Sequence, residues 1–242
     1  MWADLRAAFS FLTILPLGYV EGRKPGWSFG WYPLVGLAIG ALLALIATVS
    51  PFAPNVTAAL VLLAWIISTG GLHLDGFGDS CDGVLATVAV EKRLEIMKDP
   101  RTGTWAVVGL IVLLLTKWAT LTTVSPVLLI VPPAVGRWGM VIAASAFPYA
   151  RPSGLGAYFR EGLGRAQVVL ATAIMLIIVG AVAFTQPPAV LLMIPLALLI
   201  ALGMGAWAAR RLGGGLTGDV YGAICELIEV CCLLGASLWV GG

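Results

Sequence analysis

The stretch "YPLVGLAIGALLALIATV", residues 32–49, contains no charged side chain. A helix of about 20 apolar residues is long enough to cross the hydrocarbon core of a lipid bilayer. A second stretch of the same kind, "VVLATAIMLIIVGAVAF", occupies residues 168–184. These two stretches predict that the chain spans a membrane.

The composition of the whole chain supports this prediction. The 242 residues are 60% hydrophobic and only 11% charged, whereas a soluble domain carries about 25% charged residues. Apolar segments predict spans at 31–49, 57–72, 105–121, 127–147, 167–184, 189–208 and 220–240. We therefore predict an all-α polytopic membrane protein with about seven transmembrane helices. Because no soluble-looking insert separates the spans, residues 1–242 are predicted to form one domain.

Arginine and lysine are concentrated in alternate connections between these spans. They are Arg23 and Lys24; Lys92, Arg93, Lys98 and Arg101; Arg151, Arg160 and Arg165; and Arg210 and Arg211. The positive-inside rule places these connections in the cytoplasm, so we expect a cell (inner) membrane protein whose active site faces the cytoplasm. The apolar N-terminal segment ends at Pro16 and is too short to span, which predicts a short interfacial or re-entrant helix, and we take the interfacial one.

Three aspartates lie within the sequence "GGLHLDGFGDSCDGV", residues 70–84. The spacing of Asp75, Asp79 and Asp82 places them on one face of a helix. Three like charges on one face are unfavourable unless a cation lies between them, and Mg²⁺ prefers such oxygen ligands. The pattern therefore predicts metal-binding and catalytic aspartates. His73 is the only histidine, and it fits a general base, a phosphate ligand or a polar contact at the membrane boundary.

A second acidic group lies in the last predicted span. Asp219 and Glu226 are seven residues apart and share one helical face, and we predict that both contribute to the metal site. Glu229 lies about 60° away on the same helix. Carboxylates inside a membrane indicate function by default, although an ion pair with Arg137 would give Glu229 a structural role.

Four cations are candidates for binding a phosphorylated substrate: Lys98, Arg101, Arg137 and Arg151. The guanidinium group of arginine presents two parallel N–H donors, which match the oxygens of a phosphate group. The positive-inside rule alone explains equally well why Arg151, Arg160 and Arg165 lie in a cytoplasmic connection. Lys117 is predicted to extend its ammonium group to the outer membrane surface. Lys92 and Arg93 are predicted to lie on the solvated face of a surface helix.

Several stretches together resemble one known family. They are "FSFLTILPL", "GGLHLDGFGDSCDGV", "RLEIMKDPRTGT", "GLGAYF" and "GGGLTGDVYGAICELIE", and they occur along nearly the whole chain. This combination is similar to the cobalamin synthase family. The last stretch matches the family arrangement "TGDxxGAxxExxE", which contains Thr217 and Glu229, and both are assigned to substrate binding on this resemblance.

The resemblance implies a Mg²⁺-dependent integral membrane enzyme of the lipid bilayer. Its substrates would be a corrinoid nucleotide, adenosylcobinamide-GDP, and α-ribazole or its 5′-phosphate, and its leaving group would be GMP. No nucleic acid partner is expected, and a homo-oligomer is allowed for.

Two other classes of protein share some of these features. CDP-alcohol phosphotransferases and membrane prenyltransferases also carry paired aspartate motifs, but the former have Ala-Arg after Asp-Gly, where this chain has Phe77 and Gly78. An ion-coupled transporter could use Glu226, Glu229 and Arg137 as its pathway. Transporters often contain inverted repeats, and this sequence has no matching halves.

Overall fold

The fold consists of eleven α-helices, described by a computed structural model over residues 1–18, 21–151 and 155–238. The helices are α1 (Trp2–Leu12), α2 (Tyr32–Val49), α3 (Pro54–Thr69), α4 (Leu72–Leu85), α5 (Val90–Ile96), α6 (Thr104–Leu121), α7 (Val131–Ala146), α8 (Leu155–Phe159), α9 (Arg165–Ala183), α10 (Met193–Arg211) and α11 (Gly218–Ser237). Short 3₁₀ segments, Pro25–Trp31, Pro126–Ile130 and Pro188–Leu192, lead into α2, α7 and α10. Within the described ranges no strand forms, which confirms the all-α prediction.

The membrane spans match the sequence prediction closely. By length and composition, 6 helical segments can cross a membrane, and the bent pair of α3 and α4 raises the number to 7. A polytopic membrane fold is therefore confirmed. Helix α1 forms where the short N-terminal helix is predicted, and its position at the membrane interface stays a prediction.

The second predicted span is broken by a pair of glycines. Helix α3 ends at Thr69, and the axis of α4 is turned by 88° from that of α3. Gly70 and Gly71 make this turn with φ values of +60° and +71°, a left-handed conformation that is costly for any residue with a Cβ. The aspartate motif therefore begins a new helix that lies across the end of α3.

Small residues let the central helices approach each other closely. A Cβ atom on Gly76 of α4 would lie 2.9 Å from the backbone oxygen of Asp219, and one on Gly222 of α11 would lie 3.2 Å from the Cα of His73. Helices in membranes pack closely where small residues leave room for the facing backbone. The crossing of α4 and α11 therefore occurs at the residues that the sequence marks as functional.

A single large hydrophobic cluster joins helices from both ends of the chain. It includes Ala8 of α1, Tyr32 of α2, Val135 of α7 and Ala236 of α11. Helix α7 is the most deeply enclosed of the 6 candidate spans, with 83% of its apolar window buried inside the protein. Helices α7 and α11 thus form the centre of the bundle.

The surface helix α5 differs in part from its prediction. Lys92 is exposed and pairs with Glu95, as expected. Arg93 is buried, however, and donates hydrogen bonds to the carbonyl oxygens of Val88 and Arg211. The prediction of a solvated Arg93 is wrong, because the end of α10 covers it and supplies a carbonyl acceptor.

Candidate active site

A partly enclosed cavity of about 470 Å³ lies between α1, α4, α8 and α11. We call it the aromatic cavity, because its walls include Phe11, Phe29, Tyr32, Tyr149, Phe159 and Tyr221. Five residues singled out from the sequence line the same space: His73, Asp75, Lys98, Arg151 and Asp219. The fold thus brings together polar residues from four separate parts of the chain.

A second cavity of about 1070 Å³ is more open and lies between α3, α4 and α6. We call it the surface cavity. Asp79 and Arg101 line it, and so does Thr102. Asp75 and Lys98 line both cavities. One carboxylate and one ammonium group therefore stand where the two cavities adjoin.

The two acidic motifs meet at this junction. Among the charged neighbours of Asp79, Asp219 on α11 acts most strongly, followed by Asp75 and Asp82, while Arg151 acts in the opposite sense. Carboxylates of α4 and α11 are therefore close enough to repel one another. Asp219 therefore lies near the first aspartate motif, and its part in a shared metal site stays a prediction.

Backbone pairing places Arg151 beside Asp219. The amide of Ala150 donates to the carbonyl of Leu216 at 2.8 Å, and the amide of Leu216 donates to the carbonyl of Pro148 at 2.9 Å. As a result, the Arg151 guanidinium lies 3.7 Å from the Asp219 carboxylate. Arg151 therefore lies in the candidate site and is more than a charged residue of a cytoplasmic loop.

Thr217 has a local role in the same segment. It is fully buried, and its hydroxyl accepts a hydrogen bond from the amide of Val220 at 3.4 Å. A threonine at this position caps a helix by satisfying an otherwise unpaired amide. Thr217 thus fixes the start of α11, on which Asp219 lies, and its assignment to substrate binding stays a prediction.

Asp82 differs from the other two aspartates of its motif. One of its carboxylate oxygens accepts from the amide of Gly103 at 2.7 Å, and the other accepts from the amide of Ala106 at 3.0 Å. These amides begin α6, where backbone donors have no partner within the helix. The carboxylate therefore holds the end of α6, a role that the spacing of the aspartates does not reveal.

The donor chemistry of the remaining carboxylates fits a hard divalent cation. Among the residues that the structure describes, no three His, Cys, Asp or Glu side chains are grouped closely enough to hold a metal ion by themselves. Mg²⁺ is usually held by one or two carboxylates together with water and substrate phosphate. Asp75, Asp79 and Asp219 supply oxygen donors of this kind beside the two cavities.

Arg101 and Asp99 form an ion pair at the rim of the surface cavity. The Arg101 guanidinium donates to Asp99 at 2.6 Å, and this hydrogen bond lowers the pKa of the Asp99 carboxyl to about 2. Asp99 is therefore ionised throughout the physiological range. The pair holds the predicted phosphate-binding Arg101 in the loop between α5 and α6.

Glu226 and Glu229 lie in a separate cluster inside the bundle. Lys117 of α6 donates to a carboxylate oxygen of each glutamate at 2.6 Å, and Arg137 of α7 donates to Glu229 at 3.0 Å. All four side chains are at most 6% exposed. We call these four residues the buried ion network, and none of them lines either cavity.

This network changes three sequence predictions. The prediction that Lys117 extends to the membrane surface is wrong, because two carboxylates of α11 hold its ammonium group inside the bundle. Glu226 does not join Asp219, so its role as a metal ligand has no support in this geometry. The alternative of a structural pair between Arg137 and Glu229 is confirmed, and substrate binding by either residue has no support in this geometry.

Some residues of the site carried no clear signal in the sequence. Arg160 lines the aromatic cavity, where its guanidinium donates to the carbonyls of Ala144 and Phe147 at the end of α7. The aromatic residues of the cavity come from scattered positions, and single aromatic residues have no diagnostic spacing. Their only signal is that Phe11, Phe159 and Tyr221 lie within stretches that resemble the family.

Comparison with known proteins supports a common origin for this arrangement. Residues 4–237 match the family described as cobalamin-5-phosphate synthase. Adenosylcobinamide-GDP ribazoletransferase of Stutzerimonas stutzeri (strain A1501) is 39% identical, with 98% of each chain covered. The proteins of that name from Pseudomonas putida (strain W619) and Deinococcus radiodurans are 38% and 37% identical, covering 96% and 93% of this chain and 97% and 82% of their own.

No solved structure matches the chain. The sequence match, in contrast, extends over nearly every helix described above and includes both acidic motifs. This chain therefore belongs to the cobalamin-5-phosphate synthase family.

Proposed function

We propose that this chain is a membrane transferase that joins adenosylcobinamide-GDP to α-ribazole, or to its 5′-phosphate, and releases GMP. The names of its relatives support the substrates. One structural observation carries the proposal: Asp75 and Lys98 line both cavities. Groups bound in the two cavities meet beside a carboxylate and an ammonium group, as a reaction between two substrates requires.

The proposed step transfers a phosphorus-linked group. A ribose hydroxyl oxygen of α-ribazole bonds to the phosphorus attached to the corrinoid, while the bond from that phosphorus to the oxygen of GMP breaks. GMP leaves with the electron pair of that bond. Lys98 and Arg101 neutralise negative charge on the phosphate oxygens. His73 takes the hydroxyl proton, since its Nε2 has no hydrogen-bond partner among the described residues and the residue lines the aromatic cavity.

Carboxylates from the group Asp75, Asp79 and Asp219 are proposed to hold Mg²⁺ together with water and substrate phosphate. The support is the group of carboxylates at the junction, where Asp219, Asp75 and Asp82 act together on Asp79 and Arg151 opposes them. When bound, Mg²⁺ would supply positive charge against the oxygens of the reacting phosphate. Asp219 is positioned for this by the capped start of α11 and by the bridge at Leu216.

The activity is tested with the purified chain in lipid nanodiscs. We expect GMP release from adenosylcobinamide-GDP only when α-ribazole and Mg²⁺ are both present, and loss of release after addition of EDTA. Parallel reactions with α-ribazole and its 5′-phosphate identify the preferred acceptor. Absence of GMP release under every condition, or release that does not depend on α-ribazole, would refute the proposed reaction.

We also propose that the site faces the cytoplasm of a cell whose inner membrane holds the chain. The basic connections lie together at one end of the bundle: Arg93 contacts Arg211, Lys24 contacts Glu161, and Lys98, Arg151 and Arg160 line the same cavity. The positive-inside rule assigns such an end to the cytoplasm. Reporter fusions at Ser50, Ser125 and Gln186 should report the periplasm and one at Arg210 the cytoplasm, and a cytoplasmic signal at Ser125 would overturn this orientation.

A further inference from the structure

The two cavities differ in ways that suit different substrates. The aromatic cavity holds about 470 Å³ and is the more enclosed, whereas the surface cavity holds about 1070 Å³ and opens between α3 and α6. Pockets for compact, drug-sized ligands measure about 300–1,000 Å³ and are mostly apolar. A corrin macrocycle with its side chains, adenosyl group and GDP is several times larger than a nucleoside. Only the smaller substrate therefore fits inside the aromatic cavity.

The walls of the aromatic cavity match a flat aromatic base. Phe11 packs against Phe159 with ring centroids 4.5 Å apart, and Phe29 packs against Tyr32 at the same centroid distance. Both pairs line the cavity. Aromatic side chains bind planar rings through offset stacked or edge-to-face contacts. The base of α-ribazole is a benzimidazole, a planar ring system of this kind.

Two deeply buried polar groups face this cavity without partners of their own. His73 is 2% exposed and Tyr221 is 6% exposed. Among the described residues, neither His73 Nε2 nor the Tyr221 hydroxyl has a hydrogen-bond partner. A buried polar group without a partner is costly, so a wall with two such groups suits a ligand that bonds to them. The ribose hydroxyls of a nucleoside are ligand groups of this type.

We infer that the aromatic cavity is the binding site of α-ribazole and that the surface cavity receives the nucleotide end of the corrinoid substrate. This assignment rests on the proposed function. Tyr221 then acts as a specificity-determining residue, because its hydroxyl bonds to the nucleoside. The phosphates of the corrinoid nucleotide lie near Lys98 and Arg101, and the reacting groups meet at Asp75.

The first variant fills the aromatic cavity. Gly218 lines the cavity, and a Cβ atom at this position would have no neighbour within 4 Å. Gly218→Leu should therefore place its side chain in open space and abolish α-ribazole binding. Gly203→Leu on α10 is the matched control, because Gly203 is exposed outside both cavities and its Cβ would also have no neighbour within 4 Å. The control should bind α-ribazole like the natural chain.

The second variant removes one hydroxyl. Tyr221→Phe should weaken α-ribazole binding about 3- to 10-fold, as expected for one hydrogen bond, and should leave the KM for adenosylcobinamide-GDP unchanged. Tyr158→Phe is the matched control, since Tyr158 is 56% exposed and lies outside both cavities. Arg101→Gln at the surface cavity should give the reverse pattern, with a raised KM for adenosylcobinamide-GDP only.

Binding is measured by equilibrium dialysis of α-ribazole alone against nanodiscs, so the result does not depend on turnover. Unchanged α-ribazole binding in Tyr221→Phe and in a folded Gly218→Leu would overturn the assignment. A rise in the KM for adenosylcobinamide-GDP in Tyr221→Phe would assign the cavities the other way round. Failure of the natural chain to release GMP would refute the proposed function and is a separate result.

Discussion

Two clusters of carboxylates lie on α11, and their surroundings differ. At the junction of the cavities, Asp219 stands near Asp75 and Asp79 with Arg151 as the opposing cation. Deeper in the bundle, the buried ion network sets Lys117 and Arg137 against Glu226 and Glu229. The network is neutral, whereas the junction carries an excess of negative charge beside open space.

This difference predicts which carboxylates are structural and which are functional. A buried carboxylate is tolerated when a cation and hydrogen bonds compensate its loss of water, and removal of one partner leaves an uncompensated charge. Carboxylates in excess remain available for an added cation. We therefore expect changes in the network to affect stability first and changes at the junction to affect turnover first.

The largest effect is expected in the buried ion network. Glu229→Ala leaves Arg137 and Lys117 with too little negative charge, so the free energy of unfolding should fall by about 3–5 kcal/mol. Turnover per folded molecule should change little. Thermal unfolding in detergent and GMP release measure the two quantities. Removing the exposed carboxylate with Glu95→Ala serves as control, because a surface pair contributes at most about 1 kcal/mol. Normal stability with lost turnover would place Glu229 in substrate binding.

The next largest effect is expected at the junction. Asp79→Asn removes a charge that we assign to Mg²⁺ binding, and should lower turnover at least about 100-fold, since even outer-shell partners of a metal contribute about 10- to 100-fold. The melting temperature should stay constant or rise, because a repulsive charge is lost. Excess Mg²⁺ should restore part of the activity. Full activity of this variant would remove Asp79 from the metal site.

The smallest effect tests the third aspartate of the motif. Asp82→Ala leaves the amides of Gly103 and Ala106 without their acceptor, which should cost about 1–3 kcal/mol of stability. Asp82→Asn keeps one acceptor oxygen and should cost less, with nearly normal turnover. A loss of turnover in Asp82→Asn as large as in Asp79→Asn would show that Asp82 also serves the metal.

The acidic motifs show how far sequence reasoning extends. The i, i+4, i+7 spacing predicted one helical face for Asp75, Asp79 and Asp82, and α4 is a helix over all three. The spacing could not show that Asp82 turns toward α6, because the amides that donate to its carboxylate lie at the start of a helix that begins some twenty residues later. Likewise, Asp219 and Glu226 share a face of α11, but Asp219 lies beside Arg151 at the cavities whereas Glu226 contacts Lys117 inside the bundle.

The chain by itself determined that the protein is an all-α polytopic membrane protein, because hydropathy over about 20 residues is a local property of the sequence. It also determined which residues are costly in a membrane and so require a partner. Only the tertiary structure decided which partner each one has. Lys117 forms ion pairs with Glu226 and Glu229, and Arg151 forms one with Asp219. These pairs depend on the packing of helices distant in sequence, and the same packing encloses the aromatic cavity.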